Sequence, residues 1–481
     1  MLLRRVRLGL RGPLADVRIS DRKVTEIGTG LASAGSDSEV FDGDGGTLLP
    51  GLVDSHVHAV QWAGFRRHVP LGSAGSAAEA AELLTAAAVP AGEPVFGSGF
   101  RDALWPDRPH KDLLERVLPG RRVAMFSADL HTLWLSPAML AALGREHPTG
   151  VLVEGDCMAT TAALPSAPVE VRDRWVREAV EAAAARGVTG IMDFEYADTV
   201  TDWLRRLEQG PLPVRVRCVI ARYLLDEAIA RGHRTGEVVP DSGGLLTVGP
   251  YKLFVDGSLN TRTAYCHDGY PGGDGHGLLE LPPEQLVPLV TKAAAHGIEP
   301  ALHAIGDHAN TIALDAFART GCRGRIEHAQ LVRPSDLARF AELGVTAGVQ
   351  PAHQPDDRDV ADRYWAGRTE QAFPYAALLD AGVRLEFGSD APVAPLDPWD
   401  GIASAITRTD DDRPPWHPEQ ALSLPDALRA AARGRDQIRV GDAADLLITA
   451  VDPADLAPAD LRQIPVTATF LAGHPTHLHT P

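Results

Sequence analysis

From residue 168 to residue 390 the chain alternates between helix-like and strand-like segments, and this rhythm constrains the fold more than any other feature. Amphipathic runs over 169–186, 199–208, 283–296, 309–320 and 334–343 read as helices, joined by shorter ones at 224–231 and 374–380. Gly187, Gly297 and Gly344 follow three of them, where glycine ends a helix with least steric cost. Between the helices, apolar runs at 188–194, 214–220, 245–255, 298–303, 324–328, 345–350 and 383–390 read as strands. The apolar stretch leading into His56-Val57-His58 makes eight. Strand–helix alternation implies a parallel sheet covered by helices, and eight strands suggest a (β/α)8 TIM barrel. A doubly wound open sheet is the alternative, but no G-x-G-x-x-G follows any of these runs.

The remaining chain breaks this rhythm in two places. With 481 residues there is room for a barrel and an accessory domain. Short β-like runs at 6–10, 16–19 and 24–27, and again at 444–449 and 466–472, cannot bury much surface by themselves. They are expected to pair as a small β-sandwich domain built from residues 1–50 and 437–481, flanking a barrel of residues 51–436. Residues 60–165 read as an insertion after barrel strand 1, with helix-like pieces at 75–88, 106–117 and 134–143 and strand-like pieces at 95–99 and 122–127. Such insertions commonly cover a barrel mouth as a lid.

Bulk properties exclude several functions. A formal net charge of −18 argues against nucleic-acid binding and leaves a small molecule as the expected partner. The four cysteines form no C-x-x-C pair, so a thiolate metal site or disulfide framework is not indicated and free thiols in a cytoplasmic protein are expected. The start of the chain is apolar only briefly and is interrupted by Arg7 and Arg11, which does not fit a signal peptide. No apolar run reaches membrane-spanning length, so no membrane association is expected.

In a barrel the C-terminal strand ends gather at one mouth. Of eighteen histidines, His296 sits at a helix end, His110, His147 and His417 in proline-rich loops, and His474, His477 and His479 in the tail; these read as structural. His56 and His58 differ. Strand residues i and i+2 face the same side, so both imidazoles project together, and imidazole suits zinc and its neighbours. His303, His328 and Asp390 close three later strands and repeat the pattern. Lys252 stands apart, because alternation sends Tyr251, Leu253 and Val255 toward the helices and Lys252, Phe254 and Asp256 inward. A buried lysine needs a partner or neutrality. Two readings stay open: an ion pair with a nearby carboxylate, or a neutral amine, since burial lowers its basicity. A neutral amine can react with carbon dioxide to give a carbamate, whose two oxygens can bridge two cations.

Together these residues resemble the amidohydrolase superfamily. Pro50-Gly51-Leu52-Val53-Asp54-Ser55-His56-Val57-His58 is similar to its Pro-Gly-x-x-Asp-x-His-x-His signature, and Lys252, His303, His328 and Asp390 follow in the order of its later ligands. Lys252 to Leu259 with Arg262-Thr263-Ala264, His303 to Asp307, Arg325 to Gln330, Trp105-Pro106, and His131 with Trp134 resemble the branch called amidohydrolase family 3, which includes N-substituted formamide deformylases. The resemblance implies a metal-dependent hydrolase of carbon–nitrogen bonds other than peptide bonds, with two zinc ions per chain. His56, His58, Asp390 and an N6-carboxylated Lys252 would hold one metal; the same carbamate, His303 and His328 would hold the other. Asp390 would be the proton shuttle and Asp54 would orient a ligand. His131, Arg262, His353, Trp105 and Trp134 are further candidates for substrate contact. Asn260-Thr261 and the stretch from Val153 to Cys157 depart from the family pattern, which bears on the substrate rather than the chemistry. Rival readings are a lactonase or phosphotriesterase, a deaminase, and a non-catalytic scaffold. Homodimers are plausible for the family.

Overall fold

The computed structural model describes residues 1–33, 39–87, 89–90, 92–273 and 275–479. Residues 34–38 and 480–481 of the expected terminal domain, and residues 88 and 91 of the expected insertion, lie outside the described residues. Eight parallel strands pair in sequence order: β1 (Leu52–Val57), β2 (Val188–Asp193), β3 (Arg215–Ile220), β4 (Leu246–Phe254), β5 (Pro300–Ala304), β6 (Gly324–His328), β7 (Val345–Val349) and β8 (Leu385–Phe387). The last strand returns to the first. Asp390 N–H donates to His56 O at 2.7 Å, His58 N–H donates to Ala391 O at 2.8 Å, and Val57 bridges Ala391 in parallel. These bonds join the two ends of the sheet at the level of the two opening histidines.

Period-2 alternation sorts the strand side chains into two environments. Tyr251, Leu253, Leu302, Ile326 and Ala347 face outward into the large core between strands and helices. The barrel interior holds a small apolar group, Met192, Phe194, Val219 and Ala301, alongside the buried charges Lys252, Arg325, Glu327 and Glu386. The helices covering the barrel include Val169–Ala184, Thr199–Glu208, Pro283–Ala295, Asp307–Thr320 and Pro334–Glu342. Gly321, at φ +63°, ends the fourth of these in the left-handed conformation that glycine adopts without a Cβ penalty.

The two chain ends share one mixed sheet. Leu446–Thr449 pairs with Thr47–Pro50 on one side and with Val466–Leu471 on the other. Leu2–Leu8 joins the same sheet in parallel with Thr47–Pro50. The sheet curls so that Val24 N–H reaches Asp442 O and Ala444 N–H reaches Arg22 O, both at 2.9 Å. Alternation again divides the work: Leu446 and Ile448 point into the sheet's own apolar cluster, and Leu447 between them enters the barrel core.

The insertion contains a feature that the sequence reading did not anticipate, a five-stranded sheet. Its strands run Val151–Val153, Thr132–Leu135, Val123–Ser127, Val95–Phe100 and Val69–Pro70, in spatial order. Trp134, expected on a helix, lies on the second of these strands. The helix starts later, at Pro137, because the Ser136 hydroxyl caps it by accepting from Met139 N–H. The expected 75–88 helix is α-helical over Ala77–Leu83 and continues as a 3-10 turn over Leu84–Ala86.

Candidate metal centre

Three strand ends bring donors together around one carboxylate. Asp390 follows β8 with a left-handed φ of +57°, which turns its side chain across the barrel mouth. Its Oδ1 lies 3.5 Å from His56 Nε2 and 3.3 Å from His58 Nε2. Its Oδ2 lies 4.0 Å from His328 Nδ1. Among the described residues, two groups have ligand atoms within 4.8 Å of one another, and Asp390 belongs to both: His56 with His58, and His328 with His353. His303 is outside both groups, but its ring packs edge-on against His328 at 4.5 Å.

The orientation of each imidazole is set by a partner behind it. His56 Nδ1 donates to Glu327 Oε2 at 2.7 Å, leaving Nε2 for the cluster. Its ring stacks on Phe194 at 3.8 Å. His303 Nε2 donates to Gly257 O at 3.2 Å, and His328 Nδ1 is 2.9 Å from Gln350 Oε1. His353 Nε2 donates to Ser389 O at 3.2 Å. Fixing one ring nitrogen fixes what the other can do. Burial, reinforced by neighbouring positive charge that includes Lys252, drives His56, His303 and His328 well below the usual imidazole range. They are therefore neutral, the state that ligates metal. Burial opposes the charge of Asp390 as well, but hydrogen bonding and charge from His58 hold its carboxyl below the ordinary value.

Lys252 is 2% exposed. Its Nζ sits 4.9 Å from the Phe194 ring and 4.7 Å from the Phe254 ring. Among the described residues it makes no hydrogen bond or ion pair, so the ion-paired reading from the sequence fails. Burial lowers its pKa to about 8, only partly offset by the charges of Glu327 and Asp390. A substantial fraction is thus the neutral amine near physiological pH.

Beneath the donors runs a chain of buried charge. Glu327 bridges His56 and Arg325; Arg325 reaches Glu386 at 2.8 Å; Glu386 is met by Arg433 at 3.1 Å and Arg384 at 2.8 Å. Sequence reasoning missed this ladder. The signal was available, since Arg325 and Glu327 alternate with Ile326 as Lys252 alternates with Leu253. The Asp54 carboxylate accepts from the backbone His56 N–H and Ser389 N–H, both at 3.1 Å, tying β1 to the Asp390 turn.

The centre opens into a cavity of about 790 Å³ lined by His58, Lys252, His303, His328 and Asp390, with His131 contributed by the insertion. His353 also lines it, buried in the first turn of the helix His353–Tyr364. Three proposed substrate contacts are not in the wall. Trp134 is fully buried inside the insertion, where it meets Phe100 edge-on. Trp105 packs there too and donates to Ala74 O. Arg262 stacks over the ring of Tyr364 at 5.5 Å. Each side chain found an apolar or aromatic bed away from the cavity, and no local pattern in the chain distinguishes that bed from the cavity wall.

Comparison with known proteins agrees with this geometry. The profile of the amidohydrolase family matches residues 39–477. The protein LONG AFTER FAR-RED 3 of Arabidopsis thaliana is 28% identical, over 89% of this chain and 82% of its own. An N-substituted formamide deformylase of Arthrobacter pascens is 26% identical, over 95% and 94%. Among solved structures, an uncharacterized metal-dependent hydrolase from Pyrococcus horikoshii OT3 superposes with a TM-score of 0.78 at 26% identity, covering 95% of this chain and 98% of its own.

Proposed function

Because the chain belongs to the amidohydrolase family of metal-dependent hydrolases, we propose that it hydrolyses a carbon–nitrogen bond of amide or N-formyl type in a small molecule. The observation that carries this reading is the unpartnered, buried amine of Lys252 among imidazoles that converge on Asp390. The donor chemistry fits a divalent metal, since neutral imidazole and carboxylate together suit zinc. His56, His58 and Asp390 would hold one ion, and His303 and His328 a second. Lys252 would join both sites as a carbamate: its neutral nitrogen bonds to carbon dioxide and one proton is released. Bound there, such ions bring the pKa of water down toward roughly 7 and polarise a carbonyl.

The chain's own residues do the rest. Phe194 and Phe254 keep the Lys252 nitrogen dry and reactive. Glu327 and Gln350 hold the His56 and His328 rings in place. Asp390 accepts the proton of the attacking water and returns it to the leaving nitrogen. The carbonyl carbon gains oxygen, the C–N bond breaks, and a carboxylic acid and an amine leave. The insertion supplies part of the cavity wall, including His131.

A screen of N-formyl and N-acyl compounds for amine release tests the proposal, with Lys252→Ala as control. The expected result is metal-dependent release from at least one compound, abolished by the substitution. Turnover of lactones or phosphotriesters with no amide hydrolysed would contradict it.

A further inference from the structure

The insertion contributes a buried ion pair that the proposed metal set does not use. His131 follows Leu130, a residue at φ +63°, in the turn before Thr132–Leu135. Its Nδ1 lies 2.7 Å from Glu154 Oε2, and the two residues are 8% and 6% exposed. Glu154 is itself held. Its N–H donates to His131 O at 2.9 Å, and its Oε1 accepts from the hydroxyls of Thr261 and Thr263, each at 2.5 Å. A second clamp runs in parallel: Asp129 accepts from His131 N–H at 3.1 Å and from the Ser258 hydroxyl at 2.9 Å. Both clamps tie the insertion to the loop that follows β4, the Lys252 strand. The approach is close enough that a Cβ on Gly257 would lie 3.1 Å from Glu154 Cδ.

This arrangement aims one atom. With Nδ1 committed to Glu154, Nε2 is the only polar ring atom left; among the described residues it has no partner, and His131 lines the cavity. The ring centroid lies 6.2 Å from that of His303, next to the proposed metal centre. A structural ion pair would need neither the two threonine hydroxyls nor a ring edge left open to the cavity. Glu154 is a buried carboxylate whose one cationic neighbour among the described residues is His131, at 2.7 Å; a buried charge needs a paired counter-charge, so the ring is held as an imidazolium and Nε2 carries a hydrogen.

We infer that His131 is a catalytic residue, whose Nε2–H hydrogen-bonds the substrate carbonyl oxygen and tightens as that oxygen gains charge, with Glu154 as its positioning residue. The inference rests on the hydrolytic reading above. No bond to His131 forms or breaks; the proton stays on Nε2 throughout. The insertion then completes the site as well as covering it.

The test uses His131→Ala, His131→Asn and Glu154→Gln in metal-loaded full-length protein, with metal content measured for each. Two readouts are compared: kcat and KM on an amide that the wild type turns over, and binding of methylphosphonate, a tetrahedral anion, against acetamide by calorimetry. Removal of an oxyanion donor lowers kcat by about 10²–10³-fold. His131→Ala should show that loss with KM and acetamide binding within about threefold, full metal, and methylphosphonate binding at least about tenfold weaker. Asn, which keeps an N–H donor, should restore about tenfold or more, and Glu154→Gln should lose about tenfold. If no amide is turned over by the wild type, the hydrolytic reading fails, and weaker methylphosphonate binding in His131→Ala still supports the contact. Unchanged methylphosphonate binding, a loss confined to KM, or loss of metal in both His131 variants would overturn the inference.

Discussion

Replacing Glu327 by Gln separates two roles that the buried ladder combines. Glu327 is fully buried, accepts from His56 Nδ1 at 2.7 Å and pairs with Arg325. Gln has nearly the same volume and keeps an acceptor for His56, so the perturbation is the charge. Arg325 retains Glu386 at 2.8 Å; the stability loss should therefore fall below the ~3–5 kcal/mol of an abandoned buried charge, at about 1–3 kcal/mol. Metal affinity should fall by about 10–100-fold, the usual effect of losing the carboxylate behind a ligating histidine. Glu386→Gln is the matched control: it removes the other partner of Arg325 and does not touch His56. Thermal unfolding of chelated protein and competition against a fluorescent zinc chelator read the two effects separately. Both variants should lose similar stability, and only Glu327→Gln should lose metal affinity. If both weaken zinc equally, or neither does, the claim that Glu327 orients His56 for ligation is wrong.

Two further predictions follow from the same region. Burial favours the neutral form of Glu386, but Arg325, Arg433 and Arg384 hold its pKa at about 2, below the ordinary 4.5. A depressed folded pKa stabilises above the unfolded value, and this stabilisation, about 3 kcal/mol at neutral pH, disappears as pH falls through 2. Urea unfolding of the chelated wild type should weaken between pH 5 and pH 3 more steeply than that of Glu386→Gln; parallel curves would refute the assignment. At Gly388 an added Cβ would lie 2.6 Å from His56 N, with no left-handed backbone to add strain. Gly388→Ala should force β8 from β1, separate Asp390 from His56 and weaken zinc at least about tenfold with circular dichroism unchanged; wild-type metal content would show that this closure does not align the ligands.

The barrel was legible because its strands and helices carry long, regular apolar periods, and the eight strands fall where the alternation put them. The strand-end residues were legible for the same reason: position along a period-2 segment tells which way His56, Lys252 and His328 face. Two things escaped. The insertion's sheet is made of strands as short as two and three residues, Val69–Pro70 and Val151–Val153, too brief to show a period. Contacts made across the fold left no local trace. Glu154 meets His131 only because Glu154 follows one short strand and His131 precedes its neighbour, and Trp134 meets Phe100 inside a core that no single segment announces. The helix that carries His353 is obscured in the sequence by Pro355 and by four aspartates between residues 356 and 362.

The central claim is that Lys252 joins two metal sites, and metal analysis of the full chain tests it most directly. Protein expressed with ample zinc should carry about two equivalents per chain, and Lys252→Ala should carry fewer and release no amine from any amide. A wild type without bound metal after such expression, or a Lys252→Ala protein with two equivalents and full activity, would contradict the account.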